Sequence, residues 1–364
     1  MGDWEIGNGV NGERSPAPPL FHSQSSISPT PMTQPTTCLI LGATGFIGGQ
    51  IARAALARGW QVSGVRRSPD AVGDLAGLPI GWLQADLNDP ASLRIALRDW
   101  LSSTVHRPSS VLFHCAGAYP HNAKTIARDV EAARRQMRNV LDLVTEGGVG
   151  RLIYTSSFTT IGAPAEPGRL ANERDFYVPG AAGDPYYEAK WAMEVAALAA
   201  ARAGLPVVVL CPVAVFGPGD VHMAVSQPLL MAAQGRMLFY LDASFSVVDV
   251  RDVAEAHLAA AERGRIGERY ILSAHNLTLH EGLTEIARVA GAQPPRFRIG
   301  GRLLDVVIAA GGLVPGSNVG YLRTMRLWRP VSNAKAVAEL EHPTRPFTET
   351  VADALAWFRA RGQL

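Results

Sequence analysis

Short apolar runs alternate with longer stretches of helical periodicity along most of this chain. The apolar runs are typical of strands buried on both faces of a parallel sheet, and they occupy residues 38–41, 61–65, 83–85, 111–115, 152–155 and 207–210. Helical periodicity lies between them, at residues 47–56, 90–100, 123–146 and 185–203. Because such alternation builds parallel strand–helix–strand units, we predict an α/β fold with a doubly wound parallel sheet.

The first apolar run leads into a glycine-rich turn. Gly42, Gly45 and Gly48 follow G-x-x-G-x-x-G spacing between the first strand and the first helix. In such a turn the first glycine allows the tight bend, the second lets a phosphate approach the backbone, and the third lets helix pack on strand. This predicts a dinucleotide site of the Rossmann type. The residues of the turn predicted to bind the cofactor are Gly42, Thr44, Gly45, Phe46, Ile47 and Gly48.

The chain is predicted to consist of a tail and one large unit. Residues 1–35 are rich in Gly, Ser, Thr, Pro and Asn and lack the apolar segment of a signal peptide, which predicts a disordered tail. We hypothesise that Met32 is the true start; an intact mass beginning at Met1 would reject this. Residues 36–364 are predicted to form a dinucleotide-binding core, mainly 36–215 and 245–273, with a smaller C-terminal substrate-binding part, mainly 216–244 and 274–364.

Composition excludes several classes of partner. The 364 residues are 47% apolar and 18% charged with a net charge of +2, which describes a globular protein with no reason to bind nucleic acid. No apolar run approaches the roughly 20 residues that span a bilayer, so no transmembrane segment is expected. Cys38, Cys115 and Cys211 lie in or beside strand-like runs. We interpret them as core residues of a cytoplasmic protein, not as disulfides or metal ligands.

Three positions after the strands are predicted to select and hold the cofactor. Arg66 and Arg67 end the second strand, 24 and 25 residues after Gly42. An acidic residue there would bind the ribose hydroxyl of NAD, whereas arginine accommodates the 2′-phosphate of NADP, so NADP is favoured over NAD. Asp86 and Leu87 are candidates for the adenine contact, although Asp86 could instead cap a helix. Ala116 is small, as a residue passing under the cofactor must be.

A Tyr-x-x-x-Lys pair supplies the candidate chemistry. Tyr186 and Lys190 are four residues apart on a predicted helix and therefore share a face. A tyrosine ordinarily has a pKa of about 10, and a neighbouring ammonium lowers it, so Tyr186 can exchange a proton with a carbonyl or alcohol oxygen. Ser157, at the carboxyl end of the fifth strand, would orient that oxygen, with Ser156 and Thr159 as alternates. The competing interpretation of Ser157 is a hydroxyl that caps backbone.

These motifs resemble those of the extended short-chain dehydrogenases/reductases. The matching stretches are GATGFIG (42–48), YTSS (154–157), YYEAK (186–190), PVAVFGPGD (212–220), GERYIL (267–272) and NLTL (276–279). The similarity covers roughly residues 37–362 and is greatest to the dihydroflavonol-reductase and 3β-hydroxysteroid-dehydrogenase-like branch. It implies Ser157, Tyr186 and Lys190 as the catalytic set, a C-terminal region that closes over the substrate, and a possible homodimer formed through the long helices.

Departures from that family's pattern bear on the substrate. Ala214 and Phe245 replace the Asn and Arg with which nucleotide-sugar members grip a diphosphate. Phe158 follows Ser157 where dehydratases carry acidic residues. Residues 132–136 lack the N-x-x-G-T pattern that relatives often show. Aromatic candidates for a pocket wall are Tyr119, Phe158, Phe176, Tyr187 and Phe245.

The combined expectation is an NAD(P)-dependent ketone reductase or alcohol dehydrogenase without a metal. Its substrate is expected to be a lipophilic or aromatic small molecule of secondary metabolism, such as a flavonoid, steroid, terpenoid or prenylated quinoline. Two alternatives stay open. A sugar or nucleotide-sugar epimerase would retain NAD⁺ without net redox, and a non-catalytic dinucleotide-binding regulator would function unchanged with Tyr186→Phe.

Overall fold

The computed structural model describes residues 37–102, 109–117, 125–221, 223, 226–301, 304–306 and 324–364. The predicted N-terminal tail and Tyr119 lie outside these ranges. The helices and strands, in chain order, are β1 (Thr37–Leu41), α1 (Phe46–Ala57), β2 (Gln61–Arg66), β3 (Gly81–Gln84), α2 (Pro90–Ser102), β4 (Ser110–His114), α3 (Ile126–Gly147), β5 (Arg151–Thr155), α4 (Pro185–Arg202), β6 (Val207–Pro212), β7 (Ala214–Phe216), α5 (Gln227–Ala233), β8 (Phe239–Leu241), β9 (Ser244–Asp249), α6 (Val250–Arg263), β10 (Arg269–Leu272), β11 (His275–Thr278), α7 (Leu279–Ala290), β12 (Phe297–Ile299), α8 (Ala334–Leu340) and α9 (Phe347–Ala360).

Seven parallel strands form the central sheet, in the order β10-β6-β5-β4-β1-β2-β3. The chain order reverses at β1, whose Leu41 pairs with Val65 on one side and His114 on the other. In such sheets ligands bind beyond the carboxyl ends of the strands at this reversal. The predicted α/β class is confirmed, and the ends of the six predicted strands are correct to within two residues. The prediction omits β10, whose four residues begin with the charged Arg269.

The apolar pattern places the core on both faces of this sheet. Strands β1, β4, β5 and β6 are buried along their whole length. On α3, Ala133, Met137, Val140 and Val144 are buried at helical spacing, and this face packs beside α4. Burial of such side chains contributes about 1.5–3 kcal/mol each for the larger aliphatic ones.

A second hydrophobic cluster lies in the C-terminal part of the chain. It surrounds a three-stranded sheet of order β11-β9-β7 and includes side chains of α5, α7 and α9. Phe216, Leu283, Val351 and Phe358 are among its buried members. This cluster forms the smaller C-terminal subdomain of the predicted fold class. The exact division into cofactor-binding and substrate-binding residues stays a prediction.

None of the described helices combines the length and apolar character needed to cross a membrane. Within the same ranges, no group of three His, Cys, Asp or Glu side chains is arranged to hold a metal ion. The three cysteines are free; Cys38 and Cys211 are buried and Cys115 is partly exposed.

Candidate active site

The glycine turn after β1 packs closely against the end of β4. Gly42 has a φ of 92°, and a Cβ atom there would lie 2.7 Å from the backbone nitrogen of Ala116. A Cβ atom on Gly48 would lie 2.2 Å from the carbonyl oxygen of Gly42. Since Cβ atoms do not approach backbone atoms so closely, both positions require glycine. The turn therefore brings together Gly42, Gly48 and Ala116, as predicted.

The start of α1 has room for a phosphate group. Gly45 is the N-cap of α1, and its N–H donates to the Gly42 carbonyl at 3.0 Å. A Cβ atom on Gly45 would meet only that carbonyl oxygen, at 3.3 Å, so the space around this residue is otherwise open. The first turn of α1 carries no acidic side chain. The positive end of the helix dipole and an open glycine backbone fit the pyrophosphate of a dinucleotide.

Arg66 lies at the end of β2, beside this turn. It follows Val65, which pairs with Leu41, the last residue of β1. Its guanidinium carbon lies 5.2 Å from the ring centroid of Trp82 on β3, a cation–π contact that fixes the side chain. Arg67 is exposed. A cation is thus held at the strand end where the ribose of a cofactor is recognised.

The loop after β3 is held by its own side chains and by α3. Asp86 Oδ1 accepts hydrogen bonds from the backbone N–H of Asn88 at 2.8 Å and from its side-chain amide at 3.0 Å. The cap of α2 is Asp89, not Asp86, because Asp89 accepts from the first helical turn at 3.0 Å. Asn139 of α3 donates to the Leu87 carbonyl at 2.8 Å. Sequence reasoning missed Asn139, because nothing in the local pattern of α3 indicates that this residue reaches Leu87.

Helix α4 carries the Tyr-x-x-x-Lys pair and begins as predicted. Asp184 accepts from the N–H groups of Tyr186 at 2.9 Å and Tyr187 at 3.2 Å, and Pro185 occupies the first turn. This N-cap, which stabilises a helix by about 1 kcal/mol, sets where the helix starts. It therefore also sets which face carries Tyr186 and Lys190.

Lys190 is buried at the carboxyl end of β5. Its Nζ donates to the Thr155 carbonyl at 3.0 Å, and a Cβ atom on Gly117 would lie 3.9 Å from that Nζ. Burial lowers the pKa of Lys190 to about 8. Tyr186, one helical turn earlier, is half-buried. The ammonium group thus lies where the ends of β4 and β5 meet.

Ser157 is the second residue after the end of β5 and is buried. Its Oγ accepts a hydrogen bond from the Thr159 N–H at 3.3 Å, so the capping role considered from sequence is present. Because a hydroxyl has one proton and two lone pairs, this bond leaves the proton for a second acceptor. The alternates differ: Ser156 donates to Glu194, whereas Thr159 Oγ1 is buried with no hydrogen-bond partner among the described residues.

A buried network around Glu194 anchors this turn, and sequence reasoning missed it. Glu194 is fully buried on α4, one turn after Lys190, and pairs with the Arg269 Nε at 2.6 Å. Its other oxygen accepts from Thr160 Oγ1 at 2.7 Å and from Ser156 Oγ. Ser156 and Thr160 flank Ser157, so Glu194 ties the turn that holds Ser157 to the helix that holds Lys190.

A second buried group supports the end of β5 from the opposite side. His257 of α6 is fully buried, with Nδ1 2.7 Å from the Val253 carbonyl oxygen and Nε2 2.8 Å from Thr155 Oγ1. The carbonyl needs a donor, so Nδ1 carries the proton and Nε2 accepts from the threonine. Burial lowers the pKa of His257 to about 4 and keeps the ring neutral.

A small apolar cavity adjoins the segments that contain Ser157 and Tyr186. Its volume is about 200 Å³, and its apolar wall includes Phe158, Ile161, Val178, Tyr187, Leu327 and Val331. Arg329 is its charged lining residue.

The aromatic pocket-wall candidates separate into two sets. Phe158 and Tyr187 line this cavity. Phe176 instead packs beneath the Arg269 guanidinium, with 4.3 Å between the guanidinium carbon and the ring centroid. Phe245 is buried against Trp328 and fills the space beside Gly282.

Fold and site together fit the class of Rossmann-fold, NAD-binding oxidoreductases, epimerases and dehydratases. The chain belongs to the NAD dependent epimerase/dehydratase family, whose family model matches residues 38–273. It is 29% identical over 339 residues to the "Putative dihydroflavonol 4-reductase" of Synechocystis sp., covering 89% of this chain and 94% of that protein. It is also 29% identical over 340 residues to "Sterol demethylase protein B" of Methylococcus capsulatus, covering 90% of this chain and 100% of that one.

Solved structures give the same class. The crystal structure of gox2253 has 30% identity and a TM-score of 0.77, and the match covers 90% of this chain and 99% of that chain. PA4631 of Pseudomonas aeruginosa, described as a nucleoside-diphosphate-sugar epimerase, has 26% identity, a TM-score of 0.76 and the same coverage. The similar proteins therefore include both reductases and epimerases.

Proposed function

We propose that this protein is an NAD(P)-dependent ketone reductase, or the reverse alcohol dehydrogenase, acting on a lipophilic or aromatic small molecule. The observation that carries the proposal is the buried Lys190 ammonium, held on the Thr155 carbonyl at 3.0 Å one helical turn after Tyr186. Burying a lysine costs free energy. This lysine lies at the edge of the sheet at which dinucleotides bind, which supports a functional role for its charge.

The roles of the side chains follow from this arrangement. Tyr186 transfers the proton to the carbonyl oxygen of the substrate, and Lys190 stabilises the phenolate that remains. Ser157 donates a hydrogen bond to the same oxygen, keeps its own proton and orients the carbonyl group. A bound nicotinamide would supply the hydride. The residues that would hold this cofactor are Gly42, Thr44, Gly45, Phe46, Ile47, Gly48, Arg66, Arg67, Asp86, Leu87, Ala116, Tyr186 and Lys190, the last of which can donate to the nicotinamide ribose.

Arg66 supports NADPH as the preferred cofactor. Its guanidinium is fixed on Trp82 and can bond a 2′-phosphate. Arg66→Gln is expected to lower kcat/KM for NADPH about 10- to 100-fold, the loss expected for a charged hydrogen bond, while leaving kcat/KM for NADH within a few-fold. Arg67→Gln serves as the neighbouring control. An equal effect of Arg66→Gln on both cofactors would contradict this role.

Aromatic side chains replace polar groups of nucleotide-sugar enzymes and dehydratases, and this supports an apolar substrate. Phe245 is buried against Trp328, so this position offers no cation to a diphosphate. Phe158 lines an apolar cavity, and it occupies the position at which dehydratases carry an acidic residue. A similar protein is named for dihydroflavonol reduction, and others are named cinnamoyl-CoA reductase 1.

The test is NADPH and NADH oxidation by the purified protein with a panel of aromatic, steroid and terpenoid ketones. Tyr186→Phe should reduce kcat at least 100-fold, because it removes general acid catalysis, whereas Tyr240→Phe in the C-terminal part should not. Turnover of a nucleotide sugar with retained NAD⁺, and of no ketone, would favour the epimerase. Undiminished biological function of Tyr186→Phe would favour a regulator.

A further inference from the structure

We infer that the cavity beside the catalytic segments binds a small lipophilic carboxylic acid, with Arg329 as the partner of its carboxylate. This inference rests on the proposed function in one respect: it assigns that ligand as the substrate, a compact keto acid. Neither the family nor the names of the similar proteins assign a ligand to this cavity.

The position of the cavity connects it with the reacting groups. Phe158 follows Ser157 directly, and Tyr187 follows Tyr186 directly, and both aromatic side chains line the cavity. The remaining wall comes from the segment before α8, through Leu327 and Val331. A ligand there contacts Phe158 and Tyr187, whereas Ser157 and Tyr186 do not line the cavity, so its keto group must extend beyond this wall to reach them.

The charge of Arg329 lacks a carboxylate partner within the described part of the chain. Its Nε donates to the Leu327 carbonyl at 2.9 Å, which fixes the guanidinium, and it belongs to none of the described ion pairs. The acid that acts on it electrostatically is Asp175, whose two oxygens accept from Arg169 at 2.7 and 2.8 Å. The carboxyl group of Asp175 is therefore already committed to another arginine.

Other arginines that are withdrawn from solvent have more partners than Arg329 among the described residues. Arg151, 2% exposed, pairs with no carboxylate in the described ranges but donates to the Ala260 and Ala261 carbonyls at 3.0 Å each. Arg269 pairs with Glu194 at 2.6 Å, and Arg251 pairs with Asp249 at 2.7 Å. Burial lowers the pKa of Arg329, which reflects the cost of keeping this cation out of water without such a partner. Among the described residues Arg329 has one backbone carbonyl as acceptor and no carboxylate, so the expected partner is an anion from outside the chain.

The form of the cavity favours a monoanion on an apolar body. A guanidinium binds a carboxylate through two parallel N–H···O bonds, whereas a diphosphate requires several further donors. The wall is aromatic and aliphatic, and its volume of about 200 Å³ suits one or two rings. A phosphate monoester shares the anionic chemistry, so the test must separate the two.

The experiment uses the full chain and a matched pair of ketones, 4-acetylbenzoate and its methyl ester. Binding is measured by titration calorimetry and turnover by NADPH oxidation. The variants are Arg329→Gln and Arg329→Lys, with Arg326→Gln on the exposed side of the same segment as control. Unfolding midpoints of all three variants confirm that they are folded.

We expect the acid to bind and react better than the ester. Arg329→Gln should weaken binding of the acid, and raise its KM, about 10- to 100-fold, while changing the ester less than about threefold. Arg329→Lys should recover part of the loss, and Arg326→Gln should change neither ligand. Benzoate should compete with 4-acetylbenzoate for binding.

Three outcomes would overturn the inference: no binding of the acid at millimolar concentration, equal effects of Arg329→Gln on acid and ester, or competition by inorganic phosphate but not by benzoate. Failure of the proposed function can be distinguished from failure of this inference. Arg329-dependent binding without NAD(P)H oxidation by any ketone would refute the reductase and leave the carboxylate site. Tyr186-dependent reduction of neutral ketones without binding of acids would do the reverse.

Discussion

The buried ion pair between Glu194 and Arg269 offers the sharpest test of how the site is supported. The side chains are 0% and 3% exposed, and Glu194 Oε1 lies 2.6 Å from Arg269 Nε. In Glu194→Gln the volume is kept but the negative charge is lost. Arg269 then retains only neutral acceptors, which include the Thr160 carbonyl at 3.0 Å and the Glu173 carbonyl at 3.1 Å.

The magnitude follows from the burial of both charges. Removing one partner of a buried pair leaves an uncompensated ion and costs about 3–5 kcal/mol, a large part of the 5–15 kcal/mol by which typical domains are stable. The matched control is Glu146→Gln, which breaks a bidentate pair with Arg94 at 2.7 and 2.9 Å. Its side chains are 46% and 52% exposed, so water replaces the lost contact and the shift in the unfolding midpoint should be much smaller.

The assay is urea unfolding followed by circular dichroism, combined with ketone reduction. Glu194→Gln should also lower kcat more than it raises KM, because the single amide oxygen of glutamine cannot accept both from Arg269 and from the Ser156 and Thr160 hydroxyls that anchor the turn around Ser157. The double variant Glu194→Leu/Arg269→Met should be more stable than Glu194→Gln, because no charge remains unpaired. The reasoning would be refuted if Glu194→Gln and Glu146→Gln had equal unfolding midpoints.

Two further perturbations test the glycine turn and the buried histidine. Gly48→Ala should destabilise the protein by about 1–3 kcal/mol and weaken NAD(P)H binding, because its methyl group collides with the Gly42 carbonyl oxygen; Gly49→Ala, whose Cβ would meet only ordinary contacts of 3.5 Å or more, should be tolerated in both thermal unfolding and cofactor titration. The free energy of unfolding should decrease as the pH falls from 6.5 to about 4, because His257 binds a proton in the unfolded chain but not in the fold. Urea unfolding across this range should show a drop about 3 kcal/mol smaller in His257→Gln, and identical profiles would contradict the buried neutral ring.

The sheet and the glycine turn could be predicted because their determinants are local. A strand buried on both faces must be a continuous apolar run, and a pyrophosphate turn needs glycines at set intervals. Boundaries were less accurate where local pattern and pairing disagree. The third strand is predicted at residues 83–85 but spans Gly81–Gln84, because Gly81 pairs with Ser63 of β2 despite its low strand propensity.

The supporting contacts of the site could not be read from the sequence in the same way. Glu194 and Arg269 are 75 residues apart, and Asn139 reaches Leu87 across 52 residues. Nothing in either local pattern names its partner, because these contacts depend on which helices the sheet brings together. Arg329 gave no sequence signal among 31 arginines, since its position on the cavity depends on the fold.

The contact of Glu194 is partly indicated by the local sequence of its helix. After Lys190 the helix runs WAMEVAALAAA, in which Glu194 is the single charged residue of an otherwise apolar stretch. A lone acid on the buried side of such a helix must find a cation or hydrogen-bond donors, since its unpaired burial is too costly. Tyr186, Lys190 and Glu194 are spaced by four, so the chemistry motif and its anchor lie along the same side of one helix. A lone buried acid at the third position of this spacing therefore indicates an anchor for the proposed catalytic pair.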